Sequence, residues 1–390
     1  MSDPIDPRWR PETRLVRAGR GGVGEHGPVN PAIQRGSTVL MASQKALHGP
    51  GKTYGLDGFA VHDALSAALA DLTGAAGATL TPSGLAACTV ALLSATGAGS
   101  EVLVTDSVYA PTRRFCNGAL ARFGVSTRYF DPRIGAGIAD LISARTQALF
   151  LESPGSLTME IQDVPALAAA ARARGVTTII DDTWSAGVLF NPFDHGVDIS
   201  AQALTKYQGG HADVLMGAVS ARDPAILARV HTVVKELGLG CGAPEDAYLT
   251  LRGLRTMTLR MERQAASALQ IALWLCERPE VARVLHPALP SHPDHALFRR
   301  DFSGAAGLFS VVLHPVGAAQ RARMLDGMRL FGLGFSWGGY ESLLIDCNEQ
   351  EKRTATPWTD PGVLLRLSIG LEHPDDLIAD LDDAFARLAR

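Results

Sequence analysis

The spacing of apolar residues divides the chain into three parts. Residues 1–57 show no sustained period and contain many glycines and prolines, which is typical of an extended arm. An amphipathic helix follows, with apolar residues at i, i+4, i+8 and i+11 before Gly74: Val61, Leu65, Leu69 and Leu72. We therefore expect an N-terminal arm over 1–57 and a first folded domain that begins at residue 58.

Beyond this helix, short apolar runs alternate with helical stretches. The runs predict buried strands at four places: 101–106, 148–151, 177–180 and 214–216. Crossover helices are predicted over 111–123 and 164–174. This alternation is typical of an α/β fold with a mostly parallel central sheet flanked by helices. Ligands bind to such sheets beyond the carboxyl ends of the strands.

The pattern changes again after about residue 251. Longer helices are predicted over 251–277, strands over 308–313 and 364–368, and a closing helix from Pro374 with a single apolar stripe. These elements predict a smaller C-terminal α+β domain over 252–390. The first domain would then span 58–251.

Composition and charge narrow the possible partners. The chain has 390 residues, of which 46% are apolar and 19% charged, so it has ample material for a large core. Its net charge is −4 and no run of basic residues exceeds two, which argues against nucleic acid and favours a small-molecule partner. We find neither a secretory signal nor an apolar stretch that would span a bilayer.

The five cysteines are scattered and include no C-x-x-C pair. This usage favours a reducing compartment and gives no indication of a zinc site. We expect a cytoplasmic protein that does not associate with membranes and binds no metal.

Lys206 is the first candidate for chemistry. It is one of only five lysines, and it follows the largely apolar stretch 199–205. Burial there would lower its pKa and free a neutral amine that can form an imine with a carbonyl cofactor. The alternative is a lysine that extends from a strand end to solvent.

A carboxylate and a phosphate site could complete a cofactor pocket. Asp181 follows the run 176–180, where it could pair with a pyridinium nitrogen or simply cap a turn. Residues Ser83, Gly84 and Leu85 open a helical run, and the amides at a helix N-terminus favour a phosphate. A plain N-cap explains Ser83 equally well.

Two further residues have an unusual setting. Tyr109 lies just past the strand that ends at Asp106, where its ring could stack on a flat cofactor or pack in the core. Arg366 is a cation within an apolar strand, and a buried arginine usually pairs with a carboxylate of the protein or of a substrate.

From about residue 12 to its end, the chain resembles the Cys/Met-metabolism family of pyridoxal 5'-phosphate (PLP) enzymes. The matching stretches are FLESPGS at 150–156, TWSAGVLF at 183–190, RGLRT at 252–256, VLHPALP at 284–290, SWGGYES at 336–342 and IGLE at 369–372. The resemblance implies a fold-type I, aspartate-aminotransferase-like enzyme.

The resemblance also implies a role for each candidate residue. Lys206 would carry PLP as a Schiff base, Asp181 would pair with the ring nitrogen and Tyr109 would stack on the ring. The phosphate would be held by Ser83, Gly84, Leu85 and Thr205. The substrate would meet Arg366, Ser336 and Trp337, and Tyr54 would come from the neighbouring subunit of a homotetramer built from dimers.

The stretch at 336–342 is most similar to the family members that cleave carbon–sulfur bonds by β-elimination. The implied reaction converts the sulfur amino acid cystathionine to homocysteine, pyruvate and ammonia. The alternatives are β-elimination from cysteine or a cysteine conjugate, γ-cleavage or γ-synthesis, and an inactive PLP-binding relative.

Four positions depart from the family pattern. Leu56 stands where the family has an arginine that clamps the phosphate across the dimer, and Lys52 is a candidate substitute. The other departures are Leu204 in place of a small residue, Gln208 in place of an apolar one and Asp182 in place of asparagine. These differences suggest an altered specificity.

Overall fold

A seven-stranded sheet forms the centre of the larger part of the protein. The computed structural model describes residues 6, 8–20, 28–240, 242–348 and 352–388, so parts of the predicted arm lie outside the described residues. The strands of this sheet, β1 to β7, are Gly77–Thr81, Glu101–Thr105, Ser126–Phe130, Thr146–Glu152, Thr177–Asp181, Ile199–Ala203 and Gly217–Ala221.

The order of these strands is β1-β7-β6-β5-β4-β2-β3, and only β7 runs antiparallel to its neighbours. This confirms the predicted mostly parallel sheet. The strand predicted at 214–216 is wrong, because β7 begins at Gly217. Thr205 accounts for the shift: its hydroxyl and its N–H hold the backbone of Met216 in the turn before the strand.

Helices cover this sheet. The helices of the arm and the larger sheet, α1 to α7, are Pro11–Arg17, Gln44–Leu47, Ala60–Thr73, Gly84–Ala95, Ala110–Phe115, Val164–Ala173 and Pro224–Glu236. The predicted helix over 61–72 is confirmed as part of α3, which Gly74 ends in the left-handed conformation at φ +73°. The helix predicted over 111–123 begins as α5 and continues as a π-helix over Cys116–Leu120.

A second, four-stranded antiparallel sheet follows along the chain. Its strands, β8 to β11, are Val281–Leu285, Leu308–Leu313, Leu343–Asp346 and Val363–Ser368, in the order β10-β11-β9-β8. Helices α8 to α12 are Pro244–Leu254, Met257–Cys276, His295–Asp301, Ala318–Asp326 and Pro374–Leu388. Among the described residues, no helix is both long and apolar enough to cross a membrane.

The helices predicted over 251–277 are confirmed, and the break between them lies between Leu254 and Met257. The carbonyl of Gly253 accepts a hydrogen bond at 2.8 Å from the Arg260 guanidinium, which also donates to the carbonyl of Tyr207. The break therefore places the end of α8 next to the segment that carries Lys206.

Asp106 joins the two sheets at the carboxyl end of β2. Its buried carboxylate accepts hydrogen bonds from the N–H groups of Thr354, Ala355 and Thr356 at 3.1, 2.7 and 2.6 Å. It also pairs with the Arg113 guanidinium at 2.5 Å. The loop between β10 and β11 is thus fixed to the end of the larger sheet, next to the turn that holds Tyr109.

We predict that Asp106→Ala lowers the free energy of unfolding by about 3–5 kcal/mol, because the buried Arg113 loses its carboxylate partner and three amides lose their acceptor. Urea denaturation followed by circular dichroism measures the change. Asp382→Ala is the matched control, since its ion pair with Arg278 is exposed to solvent and should contribute less than about 1 kcal/mol. Equal losses in the two variants would contradict this account of Asp106.

Candidate active site

Three neighbouring strands deliver side chains to one edge of the larger sheet. Strands β4, β5 and β6 are adjacent and parallel, and they end at Glu152, Asp181 and Ala203. Glu152 and Asp181 are direct register partners. Lys206 lies in the turn after β6, where its N–H donates to the carbonyl of Ala203 at 3.1 Å. The sheet therefore brings an amine and two carboxyl groups to its carboxyl edge.

The Lys206 amine lies between the two sheets. Its Nζ donates to Ser336 Oγ at 2.8 Å and lies 5.3 Å from the centre of the Trp337 ring. Burial, followed by the positive charge of Arg366, lowers the pKa of Lys206 to about 8, and Asp181 opposes this shift. An appreciable fraction of the amine is therefore neutral and nucleophilic near neutral pH.

Asp181 is buried and held in a fixed orientation. Its Oδ1 accepts hydrogen bonds from the N–H and the hydroxyl of Thr183 at 3.1 and 2.5 Å, and its Oδ2 accepts one from Cys88 Sγ at 3.4 Å. Burial raises the pKa of Asp181, and these hydrogen bonds oppose the rise. A carboxylate in this setting can hold a cationic N–H of a ligand.

The N-terminus of α4 provides an anion site at the same edge. Ser83 is its N-cap, and its Oγ accepts the N–H of Ala86 at 3.1 Å. The first amides of the helix, those of Gly84 and Leu85, have no partner within the helix and can bind a phosphate. A Cβ at Gly84 would clash with Ala203, because it would approach the Cα of that residue to 2.9 Å. Only glycine lets α4 pack this closely on β6.

Thr205 lies two residues after Ala203, on which Gly84 packs. Its hydroxyl accepts the N–H of Met216 at 3.1 Å and lies 3.2 Å from the carbonyl of the same residue. The side chain is therefore oriented by the turn before β7. To bind a phosphate, the hydroxyl would give up its contact with that carbonyl.

Tyr109 is anchored through its backbone. Its N–H donates to Glu152 Oε2 at 2.7 Å, and the half-exposed ring is left free to cover a ligand. Burial raises the pKa of Tyr109, and the carboxyl groups of Asp181 and Glu152 raise it further. The ring thus lies within the electrostatic reach of Asp181, as a ring stacked on a cofactor would.

Ser336 connects the two cations of the site. Its Oγ accepts from Lys206 and its carbonyl accepts from the Arg366 guanidinium at 3.0 Å. The residue has φ +80°, a conformation that non-glycine residues rarely adopt. Burial lowers the pKa of Arg366, so this desolvated guanidinium can bind a carboxylate strongly. Such strain at a functional contact is typical of binding sites.

Tyr54 is not joined to this cluster by any contact that the structure describes within the chain. It forms an isolated bridge with Thr38 in the arm, and 56% of its surface is exposed. Lys52, the candidate substitute for the absent arginine at Leu56, pairs with Asp63 at 2.5 Å. Tyr54 and Lys52 therefore have their described partners outside the cluster around Lys206.

Sequence reasoning missed Glu152, Thr183 and Cys88. Glu152 could have been found, because it ends the apolar run 148–151 just as Asp181 ends the run 176–180. Thr183 lies two residues after Asp181, at the position of an Asx turn. Nothing in the sequence marks Cys88, which meets Asp181 across 93 residues.

Comparison with known proteins identifies the class. Residues 12–386 match the model of the family described as Cys/Met metabolism PLP-dependent enzyme. The structure superimposes with a TM-score of 0.91 on the cystathionine gamma synthase of Xanthomonas oryzae pv. oryzae, at 31% identity and covering 99% of each chain. The protein is therefore a PLP-dependent enzyme of fold type I, as predicted.

The family is equally clear. The chain is 42% identical to the cystathionine beta-lyase MetC of Escherichia coli and to the cystathionine beta-lyase of Salmonella typhimurium. Each alignment covers 97% of this chain and 98% of the relative. The protein belongs to the Cys/Met metabolism family of PLP-dependent enzymes, which confirms the resemblance and the cofactor.

The residues at the sheet edge fit PLP. An amine with a lowered pKa suits its aldehyde, the buried Asp181 carboxylate suits its ring nitrogen, and the helix terminus at Gly84 suits its phosphate. The chemistry of this donor set is therefore that of a PLP pocket.

We predict that apoprotein takes up PLP covalently at a rate that rises with pH and levels off above about pH 8, because the neutral Lys206 amine is the nucleophile. Stopped-flow absorbance between pH 6 and 9.5 measures the rate. Arg366→Met should move the pH at which the rate is half of its maximum to a higher value, since the charge of Arg366 lowers the pKa of Lys206. A rate that is independent of pH would contradict the prediction.

Proposed function

We propose that the protein is a PLP-dependent carbon–sulfur β-lyase that cleaves cystathionine to homocysteine, pyruvate and ammonia. The observation that carries the proposal is the cluster of Lys206 and Asp181 at the edge of the larger sheet with Arg366 from the smaller sheet, joined to Lys206 through Ser336. The names of the similar proteins from Escherichia coli and Salmonella typhimurium support the same reaction.

Arg366 binds the α-carboxylate of the substrate in this proposal. Its buried guanidinium keeps one hydrogen bond, to the carbonyl of Ser336, and its remaining N–H groups can make two parallel bonds to a carboxylate. Because Lys206 contacts the hydroxyl of Ser336, the bound carboxylate brings the α-carbon close to the amine. Trp337 forms the adjacent wall, with its ring edge packed against Tyr207.

Lys206 is the base for the α-proton. PLP, when bound, supplies the aldehyde that captures the substrate amine and a ring that accepts an electron pair. Asp181 keeps the ring-nitrogen proton in place through its own fixed orientation. The Lys206 amine, freed when the substrate amine takes its place, would then take the α-proton, and the bond between the β-carbon and sulfur would break with its electron pair on the sulfur. Water would convert the remaining three-carbon fragment to pyruvate and ammonia.

The phosphate is held by the amides of Gly84 and Leu85 with the hydroxyls of Ser83 and Thr205. This assignment follows from the helix terminus and the adjacent turn. Tyr109 covers the ring from the side of Glu152.

The active unit is an oligomer in this proposal. The arm before residue 58 has highly exposed apolar side chains, among them Val29 and Leu40, and these need a covering surface. A neighbouring subunit would provide it and would receive Tyr54 in its own pocket, within a homotetramer of two dimers. Domains over 58–251 and 252–390 would form each site.

The described cysteines are free, which suits a reducing, cytoplasmic setting.

The test is product analysis with PLP-loaded protein and L-cystathionine. We expect homocysteine and pyruvate in equal amounts, whereas cysteine with 2-oxobutyrate would indicate γ-cleavage and overturn the proposal. A higher kcat/KM with cysteine or a cysteine conjugate would show that the substrate, but not the β-elimination, is assigned wrongly. Lys206→Ala should lower kcat by at least about 100-fold. Lys235→Ala is the control, because that lysine is exposed.

A further inference from the structure

A buried chain of hydrogen bonds connects the strand end at Asp181 with the turn that carries Lys206. Gln208 Nε2 donates to Gln202 Oε1 at 3.3 Å, and Gln202 Nε2 donates to Asp182 Oδ2 at 2.9 Å. The Ser185 hydroxyl donates to Asp182 Oδ1. All four side chains are almost completely buried. We refer to Asp182, Ser185, Gln202 and Gln208 as the Asp182 chain.

The two glutamines of the Asp182 chain are oriented in the same direction. Each donates its N–H toward Asp182, so their dipoles favour a negative charge on that carboxyl group. The far end, Gln208 Oε1, is buried without a hydrogen-bond partner in the described part of the chain. A buried acceptor without a partner lowers the stability of the fold, and the hydrogen bonds that the two glutamines donate toward Asp182 offset this loss.

The partners of Asp182 can form hydrogen bonds with its carboxyl group in either charge state. When the carboxyl group is ionised, it accepts from both Ser185 and Gln202. When it is protonated, its O–H can donate to Ser185 Oγ, and the serine hydroxyl can turn to the carbonyl of Phe190 at 3.3 Å. Neither state leaves a hydrogen atom without an acceptor. A proton can therefore be gained or lost at this position without repacking the core.

We propose that Asp182 is a titratable positioning residue that places a second negative charge behind Asp181 and thereby adjusts the charge balance between Asp181 and Lys206. This inference rests on the proposed function, because it assigns Asp181 and Lys206 to the cofactor. The Asp182 carboxyl group contacts Ser185 and Gln202, and it would act on the cofactor through its neighbours.

The surroundings of Asp182 bring its pKa close to neutral pH. Burial raises the pKa of Asp182 to about 7, Ser185 and Gln202 oppose the rise, and Asp181 adds to it. The ionised form repels charge on Asp181 and so raises the affinity of Asp181 for a cationic N–H. It also favours a positive charge at Lys206.

Replacing Asp182 leaves the other charged groups around this site unchanged. Asp181 is the charged group that acts on Asp182 directly. From β6 and the turn after it, Gln202 and Gln208 belong to the Asp182 chain, and the charged Lys206 acts on Asp181. Asp181 in turn faces Cys88 and Lys206. Asp182→Asn removes one charge from this set and preserves the shape, since its amide can donate to Ser185 while its oxygen accepts from Gln202.

The first test needs neither cofactor nor substrate. The pKa of Asp182 is raised on folding, so between about pH 4 and about pH 7 the unfolded chain has released this proton and the folded protein still holds it. The wild-type protein therefore loses stability as the pH rises through this range. Asp182→Asn lacks this loss. Its melting temperature relative to wild type should increase by on the order of 4 °C between pH 5 and 7.5 in the apoprotein.

Ser94→Ala is the matched control, because its buried hydroxyl donates to the carbonyl of Ala91 and lies outside the Asp182 chain. Its melting temperature relative to wild type should change little over the same pH range. If Asp182→Asn does not fold, Gln202→Met replaces it: loss of the amide donor raises the pKa of Asp182, so the fall in stability should extend above pH 7. If the difference in melting temperature between wild type and either Asp182→Asn or Gln202→Met does not depend on pH, the proposal is overturned.

The second test uses the PLP-loaded protein without substrate. The pH at which the absorbance of the Lys206–PLP linkage changes should be lower in Asp182→Asn by about half a unit to one unit. An unchanged transition would overturn the coupling to Lys206. A wild-type protein that binds no PLP would instead contradict the proposed function, so the two failures can be told apart.

Discussion

The burial of the Lys206 amine beside the Arg366 guanidinium is the interaction on which the rest of the site depends. Two cations taken out of water near each other cost several kcal/mol, and Asp181 compensates only in part. The protein keeps them in place through Ser336, which accepts a hydrogen bond from each. The same repulsion prepares the chemistry, because it favours the neutral, nucleophilic form of Lys206.

The architecture explains how these groups meet. Parallel strands end at one edge, so β4 and β5 deliver Glu152 and Asp181 side by side and the turn after β6 adds Lys206. The smaller sheet supplies the opposite wall through Arg366 on β11. The Asp106 carboxylate fixes the loop before β11 to the larger sheet, so both walls of the pocket share one mechanical connection.

Much of this fold and some of the site could be predicted from the sequence. Strand ends are visible because a polar residue follows an apolar run, which is why Asp181 and Lys206 could be found. Contacts across long separations could not: Ser336 meets Lys206 across 130 residues, and Asp182 meets Gln202 across 20. The break after Leu254 and the late start of β7 also depend on tertiary hydrogen bonds, from Arg260 and Thr205, which no local pattern shows.

The central claim is that Lys206 is the residue that carries the cofactor. Reduction of the PLP-loaded protein with borohydride makes the linkage permanent, and mass spectrometry of the peptides then locates it. The account predicts one phosphopyridoxyl group per chain, on Lys206, with the other four lysines unmodified. A label on Lys45, Lys52, Lys235 or Lys352 in place of Lys206, or no label on any lysine, would contradict it.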